Sequence, residues 1–211
     1  MANLKQHRAL VFWKLIPVFG SALFLLLYLV ATLYYPGGTY LNKSSQGFSW
    51  TQNYWCNLLS EYAINGQRNP ARPIAFIAMV VLCLTISFFW YEFPKWAGLA
   101  VRRRLIVQAS GFVSMAISVL IFTNLHDSIV NVAGAFGLIA LAGTLIGLRK
   151  LGWTSLFYMG LLAVVLIGLN NLLYYQKDPM HYLAVVQKIT FLYFLVWICL
   201  IDLRWLTQNS H

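Results

Sequence analysis

The side chains best suited to chemistry lie between two long apolar runs near the middle of the chain. The segment 122–131 places Asn124, His126, Asp127 and Asn131 within one short interval. Ionisable groups at the edge of a bilayer are costly to hold there, so by default they indicate a functional site. A purely structural role is equally open, because Asp127 and Asn131 are residue types that cap the start of a helix.

A second polar group opens the last apolar run, where His181 is followed by Gln187 and Lys188. Residues seven apart nearly align on a helix, so His181 and Lys188 share a face and Gln187 lies off it. Lys188 either extends its ammonium to the lipid headgroups or faces the bundle, where an unpaired charge is expensive. We expect it to face the bundle and to pair with Asp127, with Glu61 as the second choice.

Ser60 and Glu61, which precede the second apolar run, complete the inventory for three types of site. A zinc site would use His126, His181 and a carboxylate, Asp127 or Glu61, since imidazole and carboxylate are ordinary zinc ligands. A serine hydrolase would combine Ser60 with these histidines and Asp127 as catalytic residues. A haem between the histidines is disfavoured, because both lie at the membrane rim rather than within facing spans. No spacing selects a site type, so zinc binding and catalysis both stay open. The candidate substrate-binding residues are Asn57, Glu61, Asn131, Gln187 and Lys188.

The composition requires membrane helices to position these residues. The chain of 211 residues is 60% hydrophobic and 9% charged, with a mean hydropathy of +0.69. A soluble domain carries roughly 25% charged residues, so the sequence predicts an integral membrane protein. The net charge of +10 does not indicate a nucleic-acid partner, because the basic residues fall at the ends of the apolar runs rather than in one patch. The three cysteines have no metal-type spacing.

Six apolar runs of about 20 residues are each long enough to cross the hydrocarbon core as a helix. Helices are required because every backbone polar group in lipid must be satisfied within its own segment. We therefore predict an all-α fold, in which residues 1–211 form a single membrane domain with a six-helix bundle. The predicted spans are about 15–35, 73–91, 105–125, 129–148, 152–174 and 183–202.

Lysine and arginine are unevenly divided between the two sets of loops. The set that includes both termini holds ten of them, and the other set holds four. Because cytoplasmic loops carry the excess, both termini are predicted to be cytoplasmic in a bacterial inner (plasma) membrane, with the 36–72 loop outside. Glu61, His126, Asp127 and His181 then converge on the outer side.

The 36–72 loop is long enough to hold an element of its own. Aromatic and aliphatic residues recur in it at helical spacing, opposite polar residues such as Asn53 and Asn57. This pattern predicts a short amphipathic helix over about 50–64, lying flat on the outer interface as a lid over the bundle.

Several short motifs resemble a family of uncharacterised six-span membrane proteins, known as domain of unknown function nine-nine-eight. They are Asn57-Leu58-Leu59-Ser60-Glu61 and Asn69-Pro70 before the second span, His126-Asp127 between the third and fourth spans, and Gln187-Lys188 in the last span. The chain departs from that family at Glu61-Tyr62 and at Lys188, where the family has arginine. More distantly, the layout is similar to lipid-remodelling membrane proteins and to membrane hydrolases of the alkaline-ceramidase type. Those hydrolases use three histidines and only two are predicted on the outer side here, so the resemblance implies a fold and a polar outer pocket rather than a reaction.

Together these features predict a protein that binds or processes a lipid, or a lipid-linked headgroup, in a polar pocket on the outer side. The pocket would be lined by Ser60, Glu61, His126, Asp127, His181, Gln187 and Lys188. The alternative is a non-catalytic membrane subunit or assembly factor, whose polar cluster only holds the helices together and whose partner is a membrane protein or a second copy. A small transporter is disfavoured, because no span has the broken-helix pattern typical of one.

Overall fold

The structure, a computed structural model, describes residues 13–123, 125–176 and 180–208, without the side chains of Met180 and His181. Six helices in this part of the chain are long and apolar enough to cross a membrane. The prediction of an all-α six-helix bundle is therefore confirmed, and the chain is an integral membrane protein. The helices are α1 (Ile16–Leu33), α2 (Arg72–Trp96), α3 (Val101–Ser118, continued by a 3₁₀ helix, Val119–Phe122), α4 (His126–Lys150), α5 (Thr154–Tyr175) and α6 (Met180–Gln208).

Three helices, α2, α4 and α6, extend beyond their predicted spans at both ends, because an apolar window marks only the part of a helix that lies in hydrocarbon. Thus α2 continues to Trp96 rather than ending at 91, and α6 continues to Gln208 rather than 202. At its other end, α4 begins at His126, so His126 and Asp127 lie in its first turn rather than between two helices. An aspartate there lies near the positive end of the helix dipole, which favours the position.

The centre of the bundle is α2. It packs against α1, α3 and α4, while α1 also contacts α6 and so closes the bundle. Half of the apolar window of α2 is buried, compared with 17% for α5 at the periphery. Two glycines permit close contact between helices: a Cβ at Gly111 would lie 2.6 Å from the Trp90 ring, and one at Gly143 would collide with Val107. Small residues at such contacts let membrane helices approach one another closely.

The 34–71 loop folds over the end of the bundle where α1 ends and α2 begins. We call this the loop end, and the opposite end, near the arginines at 102–104, the arginine end. The chain enters the loop through Gly37 and Gly38, whose φ angles of 134° and 86° favour glycine. Asn53 Nδ2 donates a hydrogen bond to Gly38 O at 2.8 Å, which holds the middle of the loop against its entry.

The short helix in this loop is a 3₁₀ helix, Trp55–Leu59. Its apolar residues Trp55, Leu58 and Leu59 are buried, as the amphipathic pattern predicts. Asn53 and Asn57 depart from the pattern because they are buried as well, while Trp50 and Tyr62 are 46% and 58% exposed. The asparagines point inward because each side-chain oxygen accepts a hydrogen bond from a backbone N–H of the loop, at 2.8 and 2.7 Å. Periodicity alone treats such asparagines as water-facing, since it takes no account of the loop's own backbone donors.

Candidate functional site

Lys188 lies near the start of α6, beneath the loop, and is only 7% exposed. Its Nζ donates to Asn53 O at 2.6 Å and to Ala184 O at 2.8 Å, and it lies 5.7 Å from the centroid of the Phe48 ring. The prediction that this lysine faces the bundle is confirmed. An ammonium at this depth needs polar partners, and two backbone carbonyls supply them.

The predicted ion pair between Lys188 and Asp127 is wrong, and so is the second choice, Glu61. The Asp127 side chain is 64% exposed and bonded elsewhere, while Glu61 lies 3.7 Å from Arg72. Within the described chain, Lys188 makes no salt bridge. The loop carries the Asn53 carbonyl to the ammonium, so no carboxylate has to be desolvated beside it.

Gln187, the neighbour of Lys188, joins the 3₁₀ helix to α6. Its Oε1 accepts a hydrogen bond from Trp55 N–H at 3.1 Å. Cys56 lies at the same junction, and burial raises the pKa of its thiol to about 11. This thiol is therefore protonated at neutral pH and is not a reactive nucleophile.

Asn69 stabilises the loop from the side of α2. Its Oδ1 accepts from Ala71 N–H at 3.1 Å, and its Nδ2 donates to three backbone carbonyls of the 3₁₀ segment at 2.9 to 3.2 Å. Asn57, Gln187 and Lys188, which the sequence suggested as substrate-binding residues, are thus engaged with Asn53 and Asn69 in holding the loop to the helices. We call these five residues the loop anchors.

A second polar group stands at the edge of the bundle, where α4 begins and α5 ends. Tyr174 O–H donates to Asp127 Oδ1 at 2.5 Å, and the same oxygen lies 3.0 Å from His126 Nδ1. One turn along α4, Asn131 Nδ2 donates to the Tyr175 hydroxyl at 2.8 Å. When Nδ1–H of His126 donates to Asp127, its Nε2 is left as an acceptor. We call His126, Asp127, Asn131, Tyr174 and Tyr175 the edge group. This edge group can therefore accept a hydrogen bond from a ligand.

The single polar pocket predicted from the sequence is divided in two, because no hydrogen bond or ion pair connects the edge group with the loop anchors among the described residues. Ser60 is exposed, and its hydroxyl makes no described hydrogen bond to His126, so these two residues do not form the nucleophile–base contact of a serine hydrolase, and a catalytic role of Ser60 stays a prediction. The side chain of His181 lies outside the described residues. The described residues contain no group of three metal-ligating side chains, and the zinc site stays a prediction.

An apolar cavity of about 300 Å³ lies between α2, α3, α4 and α6. Gly134 provides part of its space, since no atom lies within 4 Å of a Cβ placed there. The hydroxyls of Ser114 and Thr190 in its wall donate to backbone carbonyls at 2.8 Å. Because these polar groups are already satisfied, the cavity presents an apolar surface to any occupant.

The cavity reaches the loop end of the bundle. Ile129 and Val130 line it, and they belong to the same first turns of α4 as His126 and Asp127. The edge group therefore lies within about one helical turn of the apolar cavity. An amphipathic ligand could contact both at once.

The site residues predicted from the sequence do not include Asn69, Tyr174 and Tyr175. Adjacent tyrosines at the end of an apolar run are typical of the aromatic belt at a membrane surface. Nothing in their spacing points to Asp127 and Asn131, which lie 47 and 44 positions away. Asn69 precedes a proline and is typical of a turn, which hides its role as a hydrogen-bonding centre.

The resemblance to the six-span family, which depends on the short motifs quoted above, stays a prediction. In comparisons with known proteins, no family model, no curated protein and no solved structure matches the chain.

Proposed function

We propose that the protein binds a membrane lipid. The apolar chain would lie in the cavity between α2, α3, α4 and α6, and the polar headgroup beside His126, Asp127 and Tyr174 of the edge group. The observation that carries this proposal is the cavity of about 300 Å³ whose wall hydroxyls, Ser114 and Thr190, already donate to backbone carbonyls of the bundle. Ligand sites of this kind are mostly apolar, with a few polar groups that fix orientation.

The chemistry of the wall supports a hydrocarbon occupant. Methionine, phenylalanine, leucine and isoleucine side chains form most of it, with Gly134 and Gly137 on α4. A lipid chain that enters an apolar cavity is stabilised mainly by dispersion contacts with the walls. These contacts are favourable only where the packing is close. Met79 and Met115 suit this, because methionine adapts its shape to irregular neighbours.

The edge group supports a polar headgroup at the loop end. Its exposed side chains offer a carboxylate, an imidazole and two phenol hydroxyls close to the mouth of the cavity. We propose binding rather than catalysis here, since Ser60 makes no described hydrogen bond to His126. We further propose the orientation that the charge distribution favours, with both termini cytoplasmic and the loop end outside a bacterial inner membrane.

Two glycines make a matched test of the cavity. A Cβ placed at Gly134 or at Gly168 meets no atom within 4 Å, but only Gly134 lines the cavity. Gly134→Leu should fill the space and remove the lipid that stays bound to purified wild-type protein, as counted by native mass spectrometry. Gly168→Leu should retain it. Equal lipid retention by Gly134→Leu and the wild type would contradict the proposal.

The orientation has its own test. Ser45 in the loop and Gln208 at the end of α6 lie at opposite ends of the bundle. Each is replaced by a single cysteine, and cells are treated with a membrane-impermeant maleimide. In intact cells only the cysteine at 45 should be labelled. Labelling of the cysteine at 208 without permeabilisation would reverse the orientation while leaving the cavity unaffected.

A second candidate function is that of a non-catalytic membrane subunit or assembly factor. It is favoured because the loop anchors serve to hold the loop to the helices. The exposed rim of the loop, which includes Tyr40, Trp50 and Tyr62 at 55%, 46% and 58% exposure, is thereby fixed in shape and could contact a membrane partner or a second copy. Cross-linking from position 50 distinguishes this function, because a scaffold should give a discrete protein adduct in membranes even when Gly134→Leu has closed the cavity.

A further inference from the structure

A second cavity of about 260 Å³ lies at the arginine end, between the start of α1 and the ends of α2 and α6. Its walls are largely aromatic and contain Trp13, Trp96 and Trp205. Two carboxylates also line it, Glu92 and Asp202. This site lies at the opposite end of the bundle from the edge group and the loop anchors.

Asp202 is only 4% exposed. Its Oδ2 is fully buried and has no hydrogen-bond partner among residues 13–123, 125–176 and 180–208, and no described lysine or arginine forms a salt bridge with it. Burying a carboxylate without a partner is expensive, so a buried polar atom of this kind calls for a specific explanation. Glu92 differs, because it is only half-buried and its Oε1 accepts from Lys95 Nζ at 2.7 Å.

The aromatic walls are arranged to receive a cation. Lys14 Nζ lies 3.6 Å from the centroid of the Trp205 ring, so this wall already contacts one ammonium. The rings of Trp96 and Trp205 lie 4.8 Å apart, centroid to centroid, and are tilted by 43°. Tryptophan faces attract cations through the ring quadrupole, and aromatic walls of this kind recognise quaternary and methylated ammonium groups.

A hard metal ion fits these walls less well. Calcium takes six to eight oxygen ligands and magnesium demands octahedral oxygen coordination, whereas a single unpartnered carboxylate among indole rings offers few oxygens. The described residues contain no cluster of three metal-ligating side chains. An organic cation, in contrast, needs one anionic partner and several apolar or aromatic faces.

We propose that the arginine-end cavity binds an organic ammonium group, primary or quaternary, between the Asp202 carboxylate and the tryptophan rings. Lys14, which also lines the cavity, can then pair with an anionic group on the same ligand, such as the phosphate of a zwitterion. Two sources share this chemistry: a free small amine and the headgroup of a zwitterionic lipid.

The first arm of the test uses free amines. Full-length protein in a non-ionic detergent is titrated with choline chloride, with ethylammonium chloride and with potassium chloride at equal ionic strength, and tryptophan fluorescence and thermal unfolding are followed. The amines should give a saturable fluorescence change and raise the unfolding temperature, while potassium gives neither. Asp202→Asn should weaken amine binding by more than about tenfold, whereas Glu92→Gln, in the same cavity, should change it by less than about threefold.

Asp202→Asn has a second signature, which separates loss of binding from loss of folding. Without ligand it should unfold at the same temperature as the wild type or higher, because asparagine keeps the shape of the side chain and removes a buried carboxyl group that no described residue pairs with. If this variant fails to fold, Trp13→Leu replaces it in the titration. Trp13 is 58% exposed, so its replacement should reduce amine affinity without disturbing the core.

The second arm uses lipid nanodiscs of phosphatidylglycerol alone or mixed with phosphatidylethanolamine. Retention of phosphatidylethanolamine by the wild type and not by Asp202→Asn, with no response to free amines, assigns the site to a lipid headgroup. A response to the free amines that depends on Asp202 assigns it to small amines. Equal behaviour of the wild type and Asp202→Asn in both arms, or stabilisation by potassium equal to that by the amines, overturns the proposal.

Discussion

Replacing Lys188 by methionine should loosen the 34–71 loop without unfolding the bundle. Methionine preserves most of the aliphatic volume of lysine, so little packing is lost. The hydrogen bond to Asn53 O, at 2.6 Å, disappears, and this buried acceptor is left without its donor. Ala184 O is affected less, because it is one turn before Lys188 in α6 and keeps a backbone donor.

The expected loss of loop stability follows from the Asn53 carbonyl, which is left without a hydrogen-bond donor. Leaving a buried acceptor unsatisfied costs about 1–3 kcal/mol, and removal of the desolvated ammonium offsets part of it. We expect a net loss of about 1–2 kcal/mol in the free energy of loop opening, which corresponds to amide exchange faster by a factor of about 5–30. Hydrogen-exchange mass spectrometry of peptides covering 50–59 measures this directly.

Lys43 provides the matched control, because it is an exposed lysine of the same loop. Lys43→Met should leave exchange in 50–59 unchanged. The double change Lys188→Met with Asp127→Leu should cost the sum of the two single changes to within about 0.5 kcal/mol, since the two side chains share no partner. Unchanged exchange in Lys188→Met, or a coupling with Asp127 above about 1 kcal/mol, would refute the anchoring role.

Three further predictions concern single residues. With the other cysteines replaced by alanine, iodoacetamide should alkylate Cys56 slowly at pH 8 and faster with each step toward pH 11, because burial raises the pKa of the thiol to about 11 and only the thiolate reacts; a rate that levels off near pH 9 contradicts this. Asn69→Ala should lower the free energy of unfolding by about 2 kcal/mol, since it removes four hydrogen bonds of the loop, and a midpoint unchanged in thermal unfolding in detergent would exclude this role. Gly143→Ala should cost about 1–3 kcal/mol, because the added Cβ collides with Val107, whereas Gly168→Ala, with open space around it, should be close to neutral in the same assay.

The membrane fold could be predicted from the sequence because its determinants are local. A run of about 20 apolar residues has one stable solution in lipid, a helix that satisfies its own backbone. The ends of the helices are harder to predict from composition. For example, α6 continues through Asp202 and Arg204 to Gln208. Composition identifies the part of a helix that lies in the hydrocarbon core, and a helix can continue past that part into the interface.

The candidate site could be predicted only in part, because its contacts are long-range. That Lys188 faces inward follows from the cost of a buried charge. Its partner does not, because the acceptor is the backbone carbonyl of Asn53, 135 positions away, and every residue carries such a carbonyl. Asp127 fails as a partner for a related reason: Tyr174, which looks like a member of an interfacial belt, already holds its carboxylate.

The most direct test of the lipid proposal is to locate a lipid chain in the protein. The protein is reconstituted with a lipid brominated along its acyl chain, and its structure is determined in a nanodisc. We expect bromine density between Gly134 on α4 and Phe191 on α6, within the cavity of about 300 Å³. Bromine density confined to the outer, lipid-facing surface of the bundle, with the cavity closed by side chains, would contradict the proposal.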